Sequence, residues 1–358
     1  MTHLQRFNKA FESNPAGAAI FNSEANQTWL SGFEFEDGFV LVTKEKAYLI
    51  TDFRYIEAAE AEADKDFEVL MPTGGMYAEI ASILKRHGVT EVLFEEETFS
   101  CALLDTFKSR IEGVDFISGA SAIVDTLREY KDAEEIKIMG EAQDIADAAF
   151  AHIVNFITPD MTEVEVALEL EFFMRKNGAK SAAFQTIAVS GNASSLPHGV
   201  PRNEKLHKGF LTMDYGALVK GYRSDMTRTV VIGKADDEMK HLYNTVLKAQ
   251  LAAVEAAGPN MTGRALDKVA RDIINAAGYE GKFGHGLGHG VGKYVHENPR
   301  VSPGAPEDKL LAPGHIITIE PGIYIAGKYG CRIEDMLAIT EDGHYNFTHS
   351  TKELIEIF

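Results

Sequence analysis

The residues Pro159-Asp160-Met161-Thr162 return as Pro259-Asn260-Met261-Thr262. Each copy follows a long Ala-rich helical pattern and opens another helix. In the first copy, Thr162 and Glu165 have the spacing of a capping box, which closes a helix N-terminus. The second helices should end near Asn177-Gly178 and Ala277-Gly278, where glycine is the expected stop. A duplicated helix pair narrows the choice of folds. A strand-rich segment is expected after each pair, and the two segments should face one another.

The first third of the chain reads differently. Strands are expected at Gly38–Thr43, Lys46–Thr51, Phe67–Met71, Val92–Glu95 and Val114–Ser118, with helices at Tyr55–Asp64, Tyr77–His87 and Ala102–Ile111. That alternation predicts a small α/β domain. The charged stretch LREYKDAEE, residues 127–135, then precedes a long helix with Met139, Ala142, Ala146, Ala149, Ile153 and Ile157 on one face. The boundary is set here, giving domains 1–127 and 128–358, which suits a chain of 358 residues.

With 54 acidic against 35 basic side chains the net charge is −19, so nucleic acid and anionic membranes are excluded as partners. Cys101 and Cys331 form no C-x-x-C pair, and a reducing compartment is expected. Met1–Ser13 reads as an amphipathic helix with Arg6, Lys9 and Glu12, without the apolar run of a signal peptide. No run of 18 apolar residues occurs, so the expected location is cytoplasmic.

Both strand-rich segments carry two acids. In MDYGALVKGYRSDMTRT, a tight turn centred on Val219-Lys220 would set Asp214 and Asp225 directly opposite. In TIEPGIYIAGKYGCRIED, a turn at Gly327 would do the same for Glu320 and Glu334. Between them, HGLGHGVGKYVHENPR supplies His285, His289 and His296. Asp214 and Glu320 have apolar neighbours, which predicts burial. Buried carboxylates facing each other repel and take up protons unless a cation neutralises them. Two divalent ions balance four carboxylates, and one imidazole adds a neutral ligand. That donor set suits Mn²⁺, Co²⁺, Zn²⁺ or Fe²⁺ rather than a thiolate site or Ca²⁺. Two such ions about 3.5–4 Å apart can acidify a bridging water, so metal-assisted hydrolysis is the expected chemistry.

These segments resemble the proline-specific pita-bread metallopeptidases, aminopeptidase P and prolidase. The likeness runs through ITDFRY, residues 50–55, LREYKDAEEIKIM, SSLPHG, residues 194–199, DYGALVKGYRSDMTRT, HGLGHGVGKYVHE, EPGIY and GCRIED. It implies an α/β creatinase-like N-terminal domain and an α+β pita-bread catalytic domain with an internal pseudo-twofold repeat. It implies two divalent metals, with Mn²⁺ the first choice. Asp214 would hold one metal and His289 with Glu320 the other, while Asp225 and Glu334 would bridge them. His198 and His296 would flank the scissile bond, and Glu320 would also shuttle protons. His285 would wall the proline pocket, and Tyr324 and Arg332 would border the substrate while steadying the ligands. A homodimer is implied as well, and a strictly monomeric mass at micromolar concentration would exclude it.

The expected function is removal of the N-terminal residue from peptides with proline in second position, by attack of a metal-bridged hydroxide. The alternative is a dipeptidase restricted to Xaa-Pro, with Arg300 binding the proline carboxylate. A non-catalytic binding protein, a creatinase-type amidinohydrolase and a methionine aminopeptidase rank lower. All five ligand positions are filled, and the N-terminal domain and Pro197-His198-Gly199 do not suit the last.

Overall fold

The computed structural model describes residues 1–358, in two compact units, Met1–Arg128 and Glu129–Phe358. In the first unit, six strands form one mixed sheet. Their order is Phe67–Leu70, Ala47–Thr51, Gly38–Thr43, Ala18–Phe21, Glu91–Phe94 and Asp115–Ser118. Alternate residues feed two cores: Phe21, Val40, Val42 and Leu49 pack with Phe7 and Trp29, whereas Ile20, Leu41, Tyr48 and Ile50 pack with Ile80, Ile83 and Phe107. With both faces covered, the strands lose the polar alternation of a solvated sheet.

Helix Ala120–Arg128 was not expected, and two further elements depart from expectation inside the sheet region. Ala18–Phe21 is a strand, pairing antiparallel with Val40–Thr43 and parallel with Val92–Phe94. Glu24–Ser31 is a helix, capped by Ser23, whose hydroxyl accepts from Asn26 N. Both are too short and too poor in periodic contrast to stand out in sequence; their neighbours define them.

The second unit carries the repeat. Helices Ala133–Phe156 and Glu163–Lys176 are matched by Asp237–Ala256 and Gly263–Ile274. Thr162 and Thr262 cap the second helix of each pair, accepting from Glu165 N and Ala265 N. Each also forms an isolated bridge, Thr162 to Lys205 and Thr262 to Leu310. The Met carbonyls before them accept from Leu206 N and Leu311 N, at 3.0 and 2.7 Å. A sheet follows each pair: one of four strands centred on Gly209–Tyr215 and Met226–Ile232, and one of five centred on Ile316–Ile319 and Asp335–Ile339. They meet through two strand residues. Thr227 donates to Glu334 Oε2 at 2.7 Å, and Arg228 pairs with Asp335 at 2.9 Å. No helix is long and apolar enough to cross a membrane.

Beneath the second sheet, His315 is fully buried against the Tyr130 ring. Burial, with Lys131 and Lys309 nearby, pushes its pKa down to about 4. The unfolded chain, titrating near 6.5, takes up this proton first, so stability is present above that pH and is lost as pH falls towards 4. The loss should reach on the order of 3 kcal/mol. Urea unfolding between pH 7 and 4 should therefore show a slope that His315→Gln removes. An unchanged slope in the variant would assign the acid sensitivity elsewhere.

Candidate active site

The hairpin after Asp214 turns one residue later than expected. Val219 pairs with Tyr222, and the turn is centred on Lys220 and Gly221, both in the left-handed region at φ 48° and 77°. Asp214 consequently faces Thr227 rather than Asp225. The register carries Asp225 across from Gly216, two residues beyond Asp214 on the same face of the strand. The two acids are diagonal neighbours, not a direct pair. The second hairpin turns about Gly327, φ 73°, and pairs Ile319 with Asp335 and Gly322 with Arg332. Continuity between those pairs sets Glu320 opposite Glu334.

His289 enters between these hairpins on Gly288–Gly290, a strand sandwiched by two others. A Cβ at Gly288 would lie 1.9 Å from Thr318 O, and one at Gly290 would lie 2.1 Å from Asn298 O. Only glycine on each side lets the histidine backbone come this close. His289 Nδ1 donates to Gly290 O at 3.1 Å. Its Nε2 therefore presents a lone pair, 3.2 Å from Glu320 Oε1 and 3.8 Å from Asp225 Oδ2. A lone pair facing two carboxylates needs a cation or a second proton between them.

Ligand atoms of Asp225, His289 and Glu334 all lie within 4.8 Å of one another. Asp214 Oδ1 is buried without any hydrogen-bond partner, while its Oδ2 accepts from Arg332 at 2.6 Å. Burial, reinforced by neighbouring carboxylates, pushes Asp225 and Glu334 well above the ordinary carboxylate range. Asp214 is also raised by burial, against the opposing charge of Arg332. Burial works against the Glu320 carboxylate too, but the hydrogen bond with His289 and the nearby His285 and Arg332 outweigh it and hold Glu320 at about 2. The orphaned oxygen, the inward-facing imidazole nitrogen and four clustered acids fit hard or borderline divalent cations.

Around them lies a cavity of about 570 Å³. Its base is the buried acids. His198, His285, His296 and Arg300 line its walls together with Phe184, Val200 and Val295. His198 and His296 are exposed at the wall, and His296 packs edge-on against His289 at 4.4 Å. Partial desolvation, with His289 and Arg300 close by, lowers the His296 pKa. His285 is tied down: its Nδ1 donates to Gly286 O at 2.8 Å and its Nε2 accepts from the Tyr324 hydroxyl at 3.0 Å. Arg332 is buried and spent on Asp214, Thr227, Tyr324 and Pro197 O. Tyr324 and Arg332 brace the acids and His285, and Arg332 also borders the cavity.

Thr227 and Thr318 are functional neighbours that sequence reading missed. Thr227 donates to Glu334 and accepts from Arg332; Thr318 approaches Glu320 Oε1 at 3.3 Å and accepts from His289 N. Each sits two residues from a site acid, on the same strand face, which is a signal period-two counting could have used. Two buried acids likewise fix the histidine loops. Glu163 grips Arg202 and Ser190, and Asp267 grips Arg271 and Leu287 N, while Arg271 donates to His285 O.

Comparison with known proteins identifies the family. Residues 137–341 match metallopeptidase family M24, and residues 3–130 match the creatinase/prolidase N-terminal domain. The chain belongs to metallopeptidase family M24. Its M24 relatives include the Xaa-Pro dipeptidase of Pyrococcus furiosus, 39% identical over 98% of this chain and 99% of that protein. Among solved structures, the Xaa-Pro dipeptidase from Bacillus anthracis superposes with a TM-score of 0.94 at 41% identity, covering 99% of both chains. The X-Pro aminopeptidase from Thermotoga maritima superposes at 0.91 and 34% identity, over 98% of this chain and all of that one. The pita-bread catalytic fold with its creatinase-like N-terminal domain follows from these matches.

Proposed function

We propose that this chain is a metal-dependent Xaa-Pro dipeptidase. The observation that carries this reading is Arg300. It lines the same cavity as the acid cluster and His296, is exposed there, and makes no ion pair within the chain. A dipeptide ends in a carboxylate one residue beyond the scissile bond, and an unpaired guanidinium is the group to receive it. Sequence alone favoured an aminopeptidase acting on longer peptides. The M24 relatives named as dipeptidases and the position of Arg300 support the shorter substrate instead.

Asp214, Asp225, His289, Glu320 and Glu334 would hold two divalent ions, Mn²⁺ the first choice. When bound, such ions polarise the scissile carbonyl and lower the pKa of a water. The chain's own groups do the rest. Arg332, Thr227 and Thr318 hold the acids in register, and Glu320 lies next to His289, where it can pass a proton towards the leaving nitrogen. His198 and His296 face the peptide from the wall, and His296 donates to the carbonyl oxygen as charge develops. Because the leaving nitrogen belongs to proline, it has no N–H to bind. His285, fixed through Tyr324, offers the ring a flat wall instead.

Mn²⁺-reconstituted protein should cleave Xaa-Pro and leave Xaa-Pro-Yaa-Zaa intact. Arg300→Ala should raise KM for the dipeptide about 10–100-fold with little change in kcat, as expected for one charge-assisted contact. Release of Xaa from the tetrapeptide, with Arg300→Ala indifferent, would restore the aminopeptidase reading.

A further inference from the structure

The ring of His296 forms no hydrogen bond of its own, unlike those of His285 and His289, which each donate from Nδ1 to a backbone carbonyl. Its only close ring partner is His289. Something else must fix where it points, and that is the backbone on either side. The next residue, Glu297, is buried, and its Oε2 lies 3.1 Å from Lys131 Nζ, with the two side chains 5% and 1% exposed. Its other oxygen accepts from Tyr294 N at 2.9 Å, closing the turn from Tyr294 to Glu297 that contains His296.

The surroundings leave this turn little freedom. A Cβ on Gly292 would lie 2.5 Å from Glu297 Oε2 and 3.0 Å from Lys131 Cε, so the chain passes directly over the ion pair. Lys131 is anchored in turn, its backbone N donating to Gly314 O at 2.9 Å. On the far side, Lys293 Nζ sits 3.9 Å from the Tyr222 ring centre, and the Tyr222 hydroxyl donates to Glu135 at 2.7 Å. Lys293, itself buried, belongs to the same floor. A buried ion pair adds little net stability over apolar side chains of equal volume, so stability alone is a weak account of it.

We propose that Glu297, held by Lys131, is a positioning residue for His296: the pair sets the turn that aims the imidazole into the cavity. The inference rests on His296 acting on the scissile peptide, as in the function proposed above. Glu297→Gln keeps the shape of the side chain and removes the charge that Lys131 holds.

The test is a double-mutant cycle with a second, substrate-free readout. Glu297→Gln should lower kcat on Xaa-Pro about 10-fold, with KM and bound metal unchanged; in a His296→Ala background it should cost less than about twofold. Equal losses in both backgrounds, or a lower melting temperature with unchanged kcat, would overturn the proposal. Independently, the His296 ring signals in an NMR spectrum, assigned by their loss in His296→Ala, should shift or broaden in Glu297→Gln while those of His285 stay in place. Unmoved His296 signals would also overturn it. If the wild type cleaves no peptide, the functional reading fails, and the spectrum still decides the positioning role. Should Glu297→Gln fail to fold, Glu297→Asp and Lys131→Met are read the same way.

Discussion

Asp225→Asn is expected to strip the site of metal and abolish turnover. The side chain is 4% exposed, and its ligand atom lies within 4.8 Å of those of His289 and Glu334. Asparagine keeps the shape but removes one of four negative charges, and its amide nitrogen cannot coordinate in place of a carboxylate oxygen. Loss of an outer-shell partner typically costs 10–100-fold in metal affinity, so loss of a ligand should cost more than about 10²-fold. Elemental analysis after gel filtration should show fewer than two ions per chain, and full retention of two would refute the bridging role. The variant should also invert the stability ranking. In metal-free protein, Asp225 contributes repulsion against Glu334, Asp214 and Glu320, and burial penalises its charge. Asp225→Asn should therefore melt higher than the wild type after chelation, and lower than the wild type when Mn²⁺ is supplied, because only the wild type gains binding free energy.

The same electrostatics explains what could be read in the sequence. Asp214 and Glu320 beside apolar runs, each with a second acid across its hairpin, pointed to a buried cation site before any strand was placed. Their pairing depended on the turns. Gly327 stands midway between Glu320 and Glu334, and a left-handed glycine at that midpoint fixes the register. In the other hairpin the turn was read around Val219-Lys220, yet Gly221 followed directly. A type I′ turn wants positive φ at both central residues, so the glycine marks the second of them and Lys220 takes the first. Heeding that cue would have moved the register and brought Thr227 opposite Asp214. The strand Ala18–Phe21 had no such cue. Four apolar residues become the centre of a sheet only because Val40–Thr43 and Val92–Phe94 lie on either side. The histidines fall between these cases. Their chemistry was visible, but the loops that carry them are tied to Glu163 and Asp267, buried acids that reach Arg202 39 residues away and Leu287 N 20 residues away.

His296→Ala should lower kcat by about 10²–10³ while metal content stays at the wild-type level, the loss typical of removing one oxyanion donor. The geometry supports both halves of that result. His296 touches His289 through ring edges, 4.4 Å between centroids, and holds none of the acids, so truncation leaves the ligand atoms in place. Its pKa is lowered by partial desolvation, with His289 and Arg300 close by, which favours the neutral ring. A neutral imidazole has one N–H to give, and the proposed target is an oxygen that gains charge only as the peptide is attacked. Donation realised in the transition state shows in kcat, whereas a contact with the bound dipeptide shows in KM. The contrast with Arg300→Ala is therefore the informative measurement: the arginine should move KM and the histidine kcat, on the same substrate and with the same metal content. Unchanged turnover in His296→Ala would remove the residue from the mechanism. A rise in KM alone would make it a second binding contact beside Arg300.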